Sequence, residues 1–331
     1  MKILNEKDEI SLSKHNSEKK TLIKLRIKIL VFALILVILF LALLIIILLI
    51  PRKKGVFQSG EELEIFKKYE KLDKIGEGAI SKIYMGRDKE TNELVAIKEV
   101  SLMPIIDMNI TENTKKEIKF MSIFSNNTNS VKLYDKYEYN DNIFIVMELC
   151  DGDLSQFLKK SEKGFSYYEI KVIFKQLNNI LYDIRSKDMV HNGLTLDNIL
   201  IKFKNDKEFD VKLSDYGSAK LINKTNIEWG LEPFSNTTNN TQLIYIVEKI
   251  DLFTIGIDIY KLIFNESAQN ISEYNNTIVK NITDNDLKDL MLKLIVENAT
   301  ERIEWKDYFN HSFFQINDIN YDNITNIKKL K

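Results

Sequence analysis

Six residues spread from position 76 to 215 have the chemistry to hold a polyphosphate and a divalent cation. Gly76 and Gly78 stand close together in KIGEGAISKIYMG, between two predicted strands. Closely spaced glycines let backbone N–H groups approach phosphate, although a plain hairpin turn uses them equally well. Twenty residues past Gly78, Lys98 closes the apolar run VAIK. A lysine there either snorkels from a strand edge or holds phosphates, with Glu117 on the next helix orienting it through an ion pair. Asp215 and Gly217 follow another apolar run in VKLSDYGSAK, and an isolated Asp-x-Gly is commonly a turn. Asn198 lies seventeen residues earlier. Together Asn198 and Asp215 offer oxygen ligands to Mg²⁺, which needs few protein ligands when phosphates supply the rest.

Positioning these groups requires a β-rich region and a helical one. From Tyr69 onward short apolar runs (YEKLDKIG, KIYMGRD, ELVAIKEV, VKLYDKYEY, NIFIVMELC) read as strands, with Asn140-Asp141-Asn142 a hairpin turn between the last two. A helical stretch is expected around Lys115–Phe124. After Asp151-Gly152-Asp153 the chain turns mainly helical. Ser166 and Glu169 form a capping box, followed by an apolar stripe at Ile170, Ile173, Phe174, Leu177, Ile180, Leu181 and Ile184. The fold class expected is α+β and bilobal, with a small β-rich lobe over 69–150 and a larger helical lobe over 151–315.

The order of these parts is more specific than any one of them: glycine loop, strand lysine, helix glutamate, hinge, His-containing loop, Asn, Asp-x-Gly. In that order the chain from Tyr69 to Phe314 resembles a eukaryotic protein kinase. The resemblance implies ATP and Mg²⁺ as ligands. It implies a nucleotide site made by Ile75, Gly76, Gly78, Ile83, Ala96, Lys98, Glu117, Met147, Glu148, Cys150 and Leu200. Of these, Met147 takes the gatekeeper position, Cys150 lies near the adenine, and Ile83, Ala96 and Leu200 sandwich it. Asn198 and Asp215 take the metal, and with His191 they make up the retained catalytic set. Leu133, Met121, Tyr216 and His191 match a stacked apolar spine linking the lobes. Asp251 matches an aspartate that braces the catalytic loop, and Arg302 stands at a characteristic place near the domain's end.

Departures from the family pattern concentrate in DMVHNGLTLDNIL. His191, Leu194 and Asn198 fit, but the family's Arg, Asp and Lys become Asn192, Gly193 and Thr195. The aspartate accepts the acceptor hydroxyl's proton and the lysine neutralises the transferring phosphoryl group; Gly193 can do neither. General-base assistance is typically worth ~10²–10⁴ in rate, so the resemblance points to a pseudokinase, a nucleotide-dependent scaffold or regulator with protein partners. Asp197 is the one local candidate for a substitute base. The alternative is an active serine/threonine or glycan kinase with a non-standard base. The family's Ala-Pro-Glu ending is absent from WGLEPFSNTT, which deprives Arg302 of its usual glutamate. Residues 265–285, where a small docking helix is expected, carry four N-x-[ST] sites and little apolar periodicity.

The 331 residues are 44% hydrophobic with a net charge of −1, enough for a core and against a general nucleic-acid binder. Cys150 is the sole cysteine, so no internal disulfide forms, and three histidines are too scattered for a zinc cluster. Residues 29–50 are 22 uncharged, almost wholly aliphatic residues, about 33 Å as a helix against a bilayer core of similar thickness. They read as a single membrane span between a polar tail at 1–28 and a charged linker at 51–68; a cleaved signal peptide fits less well, because Pro51-Arg52-Lys53-Lys54 follows directly. Six basic residues over 14–28 outnumber the three just after the span, so the N-terminus is expected in the cytoplasm and the kinase-like region in a luminal or extracellular space. Twelve N-x-[ST] sites from Asn109 onward agree with that address; a cytoplasmic kinase-like domain is the alternative. Residues 316–331 read as a C-terminal tail.

Overall fold

The computed structural model describes residues 63–102, 108–139, 141–161, 163–206, 208–222, 246–316, 318–324 and 327. The chain divides into two units, 1–61 and 62–331, and every described residue belongs to the second. The expected membrane span at 29–50 and the tail at 1–28 lie outside the described residues, among which no helix is long and apolar enough to cross a membrane.

Five antiparallel strands make the smaller lobe: β1 (Tyr69–Glu77), β2 (Ser81–Asp88), β3 (Leu94–Ser101), β4 (Leu133–Tyr139) and β5 (Asn142–Glu148), in the order β1-β2-β3-β5-β4. Val95, Ala96 and Ile97 of β3 and Ile143 to Val146 of β5 are buried on both faces, as central strands rich in β-branched residues should be. A short helix α1 (Glu64–Lys68) precedes β1. Its residues are the last of the stretch read from sequence as a charged linker, of which 51–62 lie outside the described residues. Ile65 is buried with Tyr69, Phe144 and Val146, and Phe66 packs edge-on to Phe144. Asp135 of β4 accepts hydrogen bonds from Lys68 Nζ, at 2.7 Å, and from the Tyr69 hydroxyl. Helix α2 (Met108–Ile123) packs beside β4 and supplies Glu117.

The larger lobe starts with β6 (Gly152–Asp153), α3 (Leu154–Lys160) and α4 (Tyr167–Ser186). The Ser166–Glu169 capping box is present in both directions, and the predicted apolar stripe of α4 is buried throughout, each such side chain contributing roughly 1.5–3 kcal/mol. Short strands β7 (Met189–Val190), β8 (Ile199–Phe203), β9 (Phe209–Leu213) and β10 (Lys220–Leu221) lie across its top and carry the catalytic-loop region between them. Among the described residues, helices α5 (Ile250–Phe264), α6 (Ile271–Asn281), α7 (Asn285–Leu294) and α8 (Trp305–Phe309) follow. At Gly256 of α5 a Cβ would stand 2.8 Å from Ile295 and 2.9 Å from Leu294, so glycine there lets α5 and the end of α7 meet closely.

Two expectations are corrected. Within 265–285, residues 271–281 do form a helix, α6, because Ile271, Tyr274 and Ile278, with Ile282 just past its end, recur at helical spacing and the last three are buried; the stripe is one residue wide and hidden in sequence by flanking Asn. The tail from 316 is also packed: Ile324 and Ile327 join the main core, Tyr321 meets Phe209 edge-on, and Asn320 N–H donates to the Tyr168 hydroxyl.

Candidate nucleotide and phosphoryl-transfer site

Between the lobes lies a cavity of about 700 Å³. Its roof is the turn joining β1 to β2, where Gly78 N–H donates to Ser81 O at 2.8 Å. Ile75, Gly76, Gly78, Ile83 and Ala96 face it from above, Leu200 from below, and Met147 and Cys150 from the connection between lobes. The apolar lining at Ile83, Ala96 and Leu200 makes a slot for a flat heterocycle, as the resemblance implies. Burial and the neighbouring Glu148 push the Cys150 thiol up to about 12, so it stays a neutral lining group.

Deeper in, Lys98 Nζ donates to both carboxylate oxygens of Glu117, at 2.6 and 2.8 Å, and stands 3.9 Å from Asp215. Burial opposes the charge on Lys98, but Glu117 and Asp215 outweigh it and hold the amine above its ordinary value. Burial, with Asp215 adding to it, holds Glu117 above its ordinary value although Lys98 opposes the shift, so the charges of the pair depend on each other. Asp215 adopts a left-handed backbone (φ 58°) and keeps its carboxylate half exposed to the cavity.

Asn198 is placed beside Asp215 by its own carbonyl, which accepts from Ser214 N–H at 2.9 Å and Ser214 Oγ at 3.1 Å. Its amide donates to Gly193 O at 2.7 Å, leaving Oδ1 without a protein partner among the described residues. The residues therefore fit Mg²⁺: one carboxylate and one amide oxygen, both hard donors at a phosphate-sized cavity. No cluster of three His, Cys, Asp or Glu ligands exists among the described residues; with Mg²⁺ bound, phosphate oxygens and water would complete the shell.

The loop carrying Gly193 is held from below. Asp251 accepts from His191 N–H at 2.7 Å and from Asn192 N–H at 2.9 Å, the bracing role expected of it. His191 is fully buried, touches Ser214 O through Nε2 at 3.1 Å and packs edge-on to Tyr216. Burial lowers its pKa, and Nδ1 has no partner among the described residues; His191 thus serves as a neutral member of the core stack with Met121 and Tyr216. Two members of that stack escape sequence reasoning: Phe124, stacked on Tyr216, and Ser130, whose Oγ lies 2.8 Å from the Tyr216 hydroxyl. The available signal is Tyr216 itself, since a buried phenol needs a polar partner.

At Gly193 the backbone is unstrained, and a Cβ would meet the Ser218 side chain at 3.5 Å and His191 Nδ1 at 3.8 Å, both ordinary contacts. Asp197 is exposed and lines the cavity near Asp153, and no contact brings it to the position that a side chain on residue 193 would occupy. Glu148 lines the cavity too, but its carboxylate is engaged elsewhere, with Lys202 Nζ at 2.8 Å and buried Lys212 Nζ at 3.0 Å. Burial opposes its charge, and the two lysines overcome this to keep its pKa below the ordinary value. Arg302 donates to Lys249 O and Val296 O and stacks over Phe253 at 4.8 Å; WGLEPFSNTT, from which the family's glutamate is expected to be missing, lies outside the described residues.

The protein kinase domain family model matches residues 69–314. The chain is 31% identical over 275 residues to serine/threonine-protein kinase atg1 of Dictyostelium discoideum, covering 75% of this chain and 39% of that protein. It is 26% identical over 268 residues to human serine/threonine-protein kinase ULK1, covering 74% of this chain and 25% of that protein. To calcium-dependent protein kinase 5 of Plasmodium falciparum it is 28% identical over 260 residues, 73% of this chain and 44% of that protein. The chain therefore spans between a quarter and under half the length of these relatives. With the bilobal fold and the Lys98–Glu117 pair in place, this chain belongs to the protein kinase family.

Proposed function

We infer that this protein is a membrane-anchored, kinase-like regulator that binds ATP with Mg²⁺ and transfers phosphate poorly or not at all. The observation that carries this reading is Gly193: its backbone is clamped as a catalytic loop should be, yet it offers only a carbonyl to Asn198. The glycine-rich turn and Lys98 hold the phosphates, Glu117 orients Lys98, and Asn198 and Asp215 hold the metal, which neutralises phosphate charge when bound. Binding draws the two lobes onto one ligand, so the closed form is populated in proportion to the nucleotide's preference for it, and a protein partner reads that form. The test is thermal unfolding of the detergent-solubilised full chain with and without Mg-ATP, alongside ATP turnover. Nucleotide-dependent stabilisation with turnover at background supports the reading; equal melting with and without Mg-ATP refutes it.

A second reading is an active serine/threonine kinase, favoured by the intact Lys98–Glu117 pair and by the likeness to relatives named as serine/threonine-protein kinases. Loose phosphoryl-transfer transition states depend mostly on positioning and charge, and Asp197 is then the base to test. Turnover in wild type that Asp197→Asn abolishes selects this reading.

The membrane address proposed is a span at 29–50 with the kinase domain luminal or extracellular. Support comes from the basic excess before the span and from N-x-[ST] sites at Asn126, Asn265, Asn270, Asn281, Asn298, Asn310 and Asn323, all exposed. A mobility shift on endoglycosidase treatment of protein from a glycosylating host is the expected result; unchanged mobility favours the cytoplasmic domain.

A further inference from the structure

Helix α2 serves the nucleotide cavity with one flank only. Glu117 and Met121 line that cavity, while Ile118, one residue on from Glu117, lines a separate groove of about 480 Å³ on the other flank. The facing wall is β4, the edge strand of the sheet. Lys136 of β4 pairs with Ile145, which pairs with Lys98, so Lys136 stands on the sheet face that α2 covers. The helix does not reach over the whole of that face, and the strip left beside it is the groove. Ile118 is buried in it, and Ile123 is 42% exposed. Three lysines line it, Lys115, Lys119 and Lys136, against one carboxylate, Glu138, which leaves two positive charges in excess. None of these four is hydrogen-bonded or ion-paired among the described residues, whereas Lys68, Lys71, Lys74 and Lys98 of the same lobe each face a carboxylate. Exposed lysines alone mark only a solvated face; here they ring a concave apolar floor.

We propose that this groove docks a partner protein through an acidic segment bearing one large apolar side chain, in step with the nucleotide. The proposal rests on the reading above that a partner recognises the nucleotide-bound form. The charge excess selects carboxylates and rejects a basic segment. The apolar side chain covers Ile118 and Ile123, beside which the aliphatic lysine stems lie. Lys115, Lys119 and Ile123 recur every fourth residue, a stripe about 12 Å long, and an extended chain of roughly four residues spans it. Coupling follows because both flanks belong to one helix. A segment that clamps α2 against β4 holds Glu117 where it meets Lys98 at 2.6 Å, and a nucleotide that uses Lys98 holds α2 for the segment. The two ligands therefore tighten each other by one and the same factor.

The experiment uses the full chain in non-ionic detergent and a fluorescein-labelled peptide, Glu-Glu-Phe-Glu-Glu, whose binding is read by anisotropy with and without Mg-ATP. The expected result is saturable binding that weakens as salt rises. Lys119→Glu combined with Lys136→Glu should weaken it by at least ~10-fold, and replacing the peptide's Phe by Ala should cost a loss of the same order. A peptide with lysines in place of its glutamates should recover binding to the doubly reversed variant, which also shows that variant to be folded. Mg-ATP should tighten the wild-type complex by ~5-fold or more, and the peptide should raise the affinity for Mg-ATP equally. Absence of binding with and without nucleotide overturns the proposal. Binding indifferent to the Phe overturns it too, because attraction between charges alone then suffices. So does an affinity that Mg-ATP leaves unchanged in a protein that Mg-ATP stabilises. If Mg-ATP gives no stabilisation, the nucleotide-binding reading itself falls, and the nucleotide-free titration still judges the groove.

Discussion

The two sides of the cleft differ in what their frameworks carry. On the nucleotide side, framework and functional group are the same atoms: Lys98 and Glu117 keep each other charged in a buried place, and removing either strands the other. On the acceptor side they are separate. The loop from His191 to Asn198 is fixed by backbone groups that Asp251 and Asn198 bind, and residue 193 contributes only its carbonyl. A functional group held by backbone clamps can be lost with the loop's shape intact; one that is half of a buried pair cannot.

Lys98→Ala tests the first half of this contrast and should have the largest effect. It leaves the buried Glu117 uncompensated, so unfolding should become easier by about 3–5 kcal/mol, and the stabilisation by Mg-ATP should vanish; chemical denaturation with and without nucleotide reads both. Retained nucleotide stabilisation in this variant breaks the comparison. Gly193→Asp tests the second half: turnover should rise by ~10²–10⁴, more when paired with Thr195→Lys, while the melting temperature barely moves. A large loss of stability there would mean that the clamps do not suffice.

Asp258 of α5 sharpens the contrast with a smaller effect. It is buried, Oδ2 has no hydrogen-bond partner among the described residues, and burial raises its pKa to about 7, with Lys261 opposing and Asp197 adding to the shift. Below about pH 4 the carboxyl is protonated folded and unfolded alike, judged against its ordinary value. As pH rises toward 7 only the unfolded chain loses the proton, so stability falls across that window. Asp258→Asn should remove that slope and be more stable by a few kcal/mol at and above pH 7, checked by denaturation at several pH values. Ser166→Ala, which deletes the α4 cap far from either side of the cleft, should cost about 1 kcal/mol and leave nucleotide binding unchanged.

The strands, α4 and the pocket lining were legible because each has a short-range signature: alternating or continuous apolar runs, a capping box, residues in family order. The role of Asp251 was legible only through the resemblance, since 60 residues separate it from His191, and the Lys98–Glu117 pair was one of two readings until the order of the parts favoured it. What escaped depended on packing between distant pieces. Nothing local says that Glu148 turns from the cavity to bridge Lys202 and Lys212, that α6 hides a narrow stripe among asparagines, or that Ile324 and Ile327 close the core.

The helix before β1 gives the smaller lobe a mechanical connection. Any tension on the chain upstream of Leu63 enters the domain through α1 and meets, within a few residues, the Lys68 and Tyr69 hydrogen bonds to Asp135 and the Phe66–Phe144 contact. The load is therefore shared with β4 and β5 rather than resting on β1 alone. The last residues of β5 are those from which the cleft is hung, so a force applied upstream and a ligand in the cleft act on the same two strands.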